Sequence, residues 1–376
     1  MMRNAGAKLI FADQLRGVAA LMVVMNHLLG VFWVARDFIG AITFSAPLPP
    51  TPLPLDLRVI ASPWHNLGPL GVALFYLISG FVIPFSFRHH TRLSFLGARI
   101  LRIFPVYLLC FGLDLVILMA SSAYWHKPFT LTQEDIVDNL FLVHNLASIP
   151  PIDTVNVTLA TEVKFYILCC LMFSLIRAGK SWPIYIFSFL LYGLYALFRW
   201  DTDIPPVYGH VISEGDFFSL IFMMIGVLFH YHHAGKLTLA PLAAGSAVLM
   251  GLFVACWQIA RPEILPAAVD YGYALVLFGL AYGLRGWFRP IRLLNGLAAI
   301  SYPLYLLHPI LGYSLMKLLL MKAGLSPWSA FLLTMTVVGV VAWLVHVGLE
   351  RPSIAWGRWL SRREPASPPP LAKAAE

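Results

Sequence analysis

Residues 13–34 read DQLRGVAALMVVMNHLLGVFWV, an apolar stretch with Arg16 at its start and a single ionisable side chain, His27, deep inside it. About 20 mostly apolar residues cover the ~30 Å of hydrocarbon in a bilayer, so the run from 15 to 34 is long enough to cross one. Arg3 and Lys8 precede it. The run is too long for the apolar core of a secretory leader and has no small-residue cleavage site, so it reads as a retained span.

Nine further stretches share its character: 68–87, 103–123, 155–176, 182–198, 216–232, 237–258, 266–284, 296–318 and 328–349. Composition agrees. Mean hydropathy over the 376 residues is +0.77, 59% of them are apolar and 12% are charged, about half the charged share of a soluble domain. A water-soluble fold cannot hide that much apolar surface. The fold class expected is therefore an all-α, polytopic integral membrane helix bundle of about ten transmembrane helices with both termini cytoplasmic. Residues 1–352 form its transmembrane domain, and 353–376 form a basic cytoplasmic tail expected to be disordered.

The charges set the sidedness. Of 26 Lys and Arg residues, eighteen fall in segments that ten crossings place with the N-terminus, six fall on the other side, and Lys164 and Lys317 lie within spans. That is the asymmetry of a positive-inside topology, so the formal charge of +8 speaks for orientation and anionic lipid, not for nucleic acid. The inside segment 88–102, RHHTRLSFLGARILR, is expected to lie as a helix along the cytoplasmic interface. The four cysteines, Cys110, Cys169, Cys170 and Cys256, all sit in apolar stretches without metal-site spacing, and no metal is expected.

Polar groups within spans are costly in hydrocarbon unless they meet a partner or a wet cavity. Arg16 and His27 are eleven residues apart, three helical turns and about 16 Å, hence on one face. A snorkelling Arg and a hydrogen-bonded core His account for that spacing as well as a reaction site does. Span two, GPLGVALFYLISGFVI, brings Ser79 and Gly80 to mid-membrane, where small residues most often mean close packing. In ARILRIFPVYLL, Arg99 and Arg102 share a helix face and suit either phosphate oxygens or plain anchoring. Span four, NVTLATEVKFYIL, carries Glu162, Lys164 and Tyr166, and span nine, ISYPLYLLHPIL, carries Ser301, Tyr302, Tyr305 and His308 along one stripe. Asp114 and the juxtamembrane LERP, 349–352, complete the set.

Taken in order, LRGVAALMVVMNH, GVALFYLISGF, RILRIFPVY, TEVKFY, SYPLYLLH and LERP resemble the membrane-bound acyltransferase 3 family, which O-acylates sugars and related acceptors from cytoplasmic acyl-CoA. The resemblance runs from about Asp13 to Pro352. It implies that His27 and Glu162 are catalytic candidates and that Arg16, Arg99 and Arg102 hold the acyl-CoA donor; the intramembrane polar residues His308 and Tyr305 join the catalytic candidates, and Ser79, Tyr302 and Tyr166 are the candidates for substrate contact. The donor is expected to be acetyl-CoA, the acceptor a carbohydrate or lipid-linked sugar, and the location the bacterial cytoplasmic (inner) membrane among its lipids. Many members carry Trp-Ser-Leu ahead of the Glu, where this chain has Val157, Thr158 and Leu159. The alternative is a proton-coupled transporter or flippase for a sugar-containing substrate, using the same polar residues as a pathway.

Overall fold

The computed structural model describes residues 9–49, 66–147, 149–200 and 216–362. Among them the protein is helical, with no strand. The main helices are α1 (Ile10–Met25), α2 (Leu67–Val82), α3 (Arg92–Trp125), α4 (Asn156–Leu171), α5 (Trp182–Trp200), α6 (Phe218–His233), α7 (Leu239–Ala260), α8 (Ala268–Gly283), α9 (Arg292–Leu307), α10 (Ile310–Met321), α11 (Pro327–Val345) and α12 (Arg351–Arg362).

All ten apolar stretches are helical, but they are not equivalent. Six helices are long and apolar enough to cross a bilayer unaided: Ile10–Val34, Leu67–Arg88, Arg92–Trp125, Leu239–Ala260, Pro262–Gly283 and Pro327–Trp359. α9 and α10 together make a seventh, bent by 75° where His308 and Pro309 separate them. Among the described residues, the stretches at 155–176, 182–198 and 216–232 hold no helix that is long and apolar enough to cross unaided. α4 ends at Leu171 after carrying Glu162 and Lys164, and the apolar lengths of α5 and α6 are Trp182–Leu197 and Phe218–His233. α6 reads as a span by apolarity, yet every residue from Phe218 to Tyr231 is buried in protein, so it is the central post of the bundle.

Segment 88–102 is not a separate interfacial helix. A capping box in which the Thr91 and Ser94 side chains bond each other's backbone N–H starts α3 at Arg92, and the helix then runs unbroken for 34 residues through Pro105 to Trp125. Arg99 and Arg102 therefore stand on a helix long and apolar enough to cross a bilayer. Beyond Pro352 the chain continues as α12 to Arg362; residues 363–376, like Arg3, Lys8 and Arg58 of the charge argument, lie outside the described residues.

Packing at the centre depends on two glycines. α2 lies against α1, α6 and α8. A Cβ on Gly80 would stand 2.0 Å from the Met223 carbonyl oxygen, and one on Gly226 would stand 2.4 Å from that of Leu77, so the α2 and α6 backbones touch there. Neither contact can relax by turning a side chain. Gly80→Ala is expected to destabilise the bundle by about 3 kcal/mol or more, beyond the usual cost of one added methyl group. Thermal unfolding of the purified protein in detergent checks this, and an unchanged midpoint would show that the helices separate easily.

The segment between α3 and α4 is built on Asn139, which has no exposure. Its Nδ2 donates to the carbonyls of Asp135 (2.9 Å) and Pro150 (3.2 Å), its Oδ1 accepts from the Ile152 N–H (2.9 Å), and its own carbonyl accepts from the Tyr107 hydroxyl of α3 (2.5 Å). One buried amide thus fixes the loop that leads into α4.

Candidate active site

α1 widens into a π-helical turn over Asn26–Val31, a local expansion often found at functional sites. His27 stands in that turn, and its Nδ1 lies 2.9 Å from Nε2 of His308, with ring centroids 4.9 Å apart. His308 sits at the elbow between α9 and α10 and is fully buried. Its Nδ1 lies 2.8 Å from the Tyr305 carbonyl oxygen and 3.3 Å from that of Leu304.

Those contacts decide both tautomers. A carbonyl only accepts, so His308 Nδ1 carries the proton and, in the neutral ring, Nε2 is bare. A bare Nε2 must accept from His27, so His27 Nδ1 carries its proton and His27 Nε2 presents a lone pair. The two histidines are therefore unequal. Both nitrogens of His308 are committed, whereas no hydrogen-bond partner of His27 Nε2 is found among the described residues. The group that holds His27 is thus His308, and Glu162 does not touch it.

Glu162 belongs to a neighbouring cavity, partly open to its surroundings, between α1, α2, α3, α4 and α9. Arg16, Ser79, Arg102, Glu162, Tyr166, Ser301, Tyr302 and Tyr305 all line it; His27, His308 and Arg99 do not. Glu162 Oε1 accepts from the Tyr166 hydroxyl (2.5 Å) and the Ser79 hydroxyl (3.3 Å). Arg16 comes no closer to a carboxylate than 3.9 Å, from Asp13. Arg99 is placed behind the cavity wall, its guanidinium over the rings of Phe95 (5.4 Å) and Tyr166 (5.5 Å), so the two arginines expected to act as one clamp are divided. Of Arg99 and Arg102, it is Arg102 that faces the cavity, alongside Arg16.

The tyrosines are also spoken for. Tyr302 donates to the Ile103 carbonyl (2.9 Å), which ties α9 to α3 and leaves its hydroxyl proton unavailable to a substrate oxyanion. The Thr158 hydroxyl donates to the Val155 carbonyl (2.9 Å), so in the 2.6 Å contact between Thr158 and Tyr305 the tyrosine is the donor. The Tyr305 ring closes one end of the cavity, 5.4 Å from Phe75 on one side and 5.8 Å from His308 on the other. Tyr305 is the partition between the arginine cavity and the histidine pair.

Thr158 and the carboxylate of Glu350 were not among the expected site residues. Glu350 is buried in a second π-helical turn, His346–Glu350, where His346 Nδ1 lies 2.6 Å from its Oε2. The spacing of four between them, on one helix face, is a signal that sequence offers.

The model of the acyltransferase 3 family, described as an acyltransferase domain, matches residues 9–347, nearly the whole chain and every residue of both centres except Glu350. The chain belongs to the acyltransferase 3 family. It is a multi-pass membrane protein and an acyltransferase, as the motif order implied. Two similar proteins are the exopolysaccharide production protein ExoZ of Rhizobium meliloti (strain 1021), 28% identical over 313 residues, covering 78% of this chain and 92% of that protein, and the acyltransferase MdmB of Streptomyces mycarofaciens, 26% identical over 341 residues, covering 81% and 85%. No solved structure matches the chain.

Proposed function

We propose that this acyltransferase moves an acyl group, acetyl in the simplest case, from cytoplasmic acyl-CoA to a hydroxyl of a carbohydrate or glycolipid acceptor. The observation that carries the proposal is the tautomer chain from the Tyr305 carbonyl through His308 to His27, which leaves a bare Nε2 pointing away from its anchor. In this reading His27 Nε2 takes the proton of the acceptor hydroxyl as that oxygen attacks the thioester carbonyl. The tetrahedral intermediate collapses, the C–S bond breaks, and the departing CoA thiolate takes the proton back from His27. His308 steadies the imidazolium that forms in between.

Arg16 and Arg102 hold the donor's phosphates, guanidinium groups being suited to paired phosphate oxygens. Their depth supports this. Arg16 lies eleven residues before His27 on one helix, a rise of about 16 Å, comparable with an extended pantetheine arm. The acyl end then passes Tyr305 to reach His27. A sugar acceptor is supported by the relative whose name places it in exopolysaccharide production. The protein sits in the bacterial cytoplasmic membrane with both termini and segment 285–292 inside, a reading supported by the basic residues Arg285, Arg289 and Arg292.

One experiment tests donor and sidedness together. Inside-out vesicles are expected to release CoA thiol from added acetyl-CoA in a His27-dependent manner, whereas sealed right-side-out vesicles release none until permeabilised. Equal release from both orientations would overturn the sidedness. No release from either, permeabilised or not, would overturn acetyl-CoA as donor.

A further inference from the structure

Across the histidine pair from the arginine cavity, the protein buries polar groups that the steps above do not use. Asp114 of α3 is 3% exposed, and its Oδ1 has no hydrogen-bond partner among the described residues. Asp153, in the loop before α4, is 1% exposed, and its Oδ1 accepts from the Val155 N–H (3.2 Å) and the Thr154 hydroxyl (3.4 Å). Tyr313 of α10 has no exposure and its hydroxyl has no partner among the described residues, while its ring lies 6.2 Å from that of His27.

These groups share one place. The charge of Asp153 acts on Asp114 and on the Tyr107, Tyr305 and Tyr313 hydroxyls, so residues of α3, α9 and α10 surround it. Depth agrees. Asp114 follows Arg102 by twelve residues on α3, and His27 follows Arg16 by eleven on α1, rises of about 18 and 16 Å from two arginines that line one cavity. Asp114 and His27 therefore stand in the same layer.

Burial pushes the Asp153 carboxyl up to about 7, against the N–H and hydroxyl groups of residues 154 and 155 that pull it down. Groups that cost a fold stability and leave atoms unpaired mark functional positions more often than structural ones. A carboxyl accepts when ionised and also donates when protonated, so what satisfies this pair is a neutral ligand with several donors and acceptors close together. Adjacent hydroxyls on a sugar ring have that form.

We propose that Asp114, Asp153 and Tyr313 form the subsite that seats the ring hydroxyls of the acceptor beside the hydroxyl that His27 deprotonates, which makes the acceptor a vicinal polyol of the sugar class. This rests on acyl transfer at His27. It names residues that the transfer step itself does not require.

The test uses purified full-length protein, acetyl-CoA, and two kinds of acceptor probe: methyl α-D-glucopyranoside and myo-inositol as polyols, 1-propanol as a single hydroxyl. Wild type is expected to favour the polyols over propanol at least tenfold in kcat/KM. In Asp114→Asn and Asp153→Asn that preference falls at least tenfold, through the polyol KM, and Tyr313→Phe shifts it the same way. Asp153→Asn is also expected to melt no lower than wild type at pH 8, because it removes a buried carboxyl ionised there, whereas a purely structural Asp153 would lower the midpoint. Absence of a polyol preference in wild type, or its survival in all three variants, overturns the subsite while leaving acyl transfer intact. Equal losses with both kinds of acceptor also overturn it. If wild type releases no CoA from acetyl-CoA with any of the three acceptors, the donor reading fails, and the subsite with it.

Discussion

Replacing His27 with Ala is expected to leave a folded protein whose acyl transfer is slower by at least three orders of magnitude. The side chain is half-buried in a π-helical turn and makes one side-chain hydrogen bond, to His308, so its loss costs the fold little. Its loss removes the bare imidazole nitrogen that His308 holds in place. General-base catalysis is worth roughly 10²- to 10⁴-fold, so a fall within that range fits proton abstraction. A fall well beyond it would favour an acyl-imidazole intermediate, which rapid-quench capture of labelled protein would reveal. Transfer within tenfold of wild type in a protein with an unchanged thermal midpoint would remove His27 from the mechanism.

His308 answers differently, and the contrast is the sharper test. It does not itself line the arginine cavity and has both nitrogens committed, so it acts through His27 as a positioning residue. His308→Ala frees His27 to adopt either tautomer and rotate, for an expected loss of about 10²-fold, at the low end of the general-base range. His308→Gln keeps an acceptor oxygen within reach of His27 Nδ1–H and should recover part of that loss. Failure of Gln to do better than Ala, with both proteins folded, would separate the pair and return His308 to the status of a rival base.

The sequence made the bundle legible because apolar length is a one-dimensional property. All ten stretches are helices, yet how far each crosses depends on features that hydropathy averages away: the elbow at His308 and Pro309, and the burial of α6 by its neighbours. The helix face shared by Arg16 and His27, and the stripe from Tyr302 to His308, could be read from the sequence, since period 3.6 fixes what one helix presents. What the period cannot fix is the partner across an interface. The division of Arg99 from Arg102 follows from where the rings of Tyr166 and Phe95 fall, and the inequality of two equally deep histidines follows from a carbonyl at the end of α9. Both were settled by atoms up to 281 residues apart in the chain.

That division of the arginines yields the second large effect. Arg102 is expected to serve the donor directly, and Arg99 only by holding Tyr166, whose hydroxyl bonds Glu162. A hydrogen bond to a charged group contributes about 1.5–3 kcal/mol, so Arg102→Ala should raise the KM for acetyl-CoA roughly 10- to 150-fold. Arg102→Lys keeps the charge but not the fork, and should fall between Ala and wild type. Added salt should weaken donor binding in wild type more than in Arg102→Ala, because one phosphate contact fewer is there to screen. Arg99→Ala removes a cation over an aromatic ring in a buried setting, an interaction of about 2 kcal/mol, and should lower the thermal midpoint more than it changes the donor KM. Glu162 must not be mistaken for a donor-binding group in this series. Its Oε1 already takes the protons of Ser79 and Tyr166, and its charge offsets one of the two arginines in the free cavity. Equal donor affinities in wild type and Arg102→Ala, measured by isothermal titration with acetyl-CoA, would move the phosphates elsewhere and leave the cavity to the acceptor.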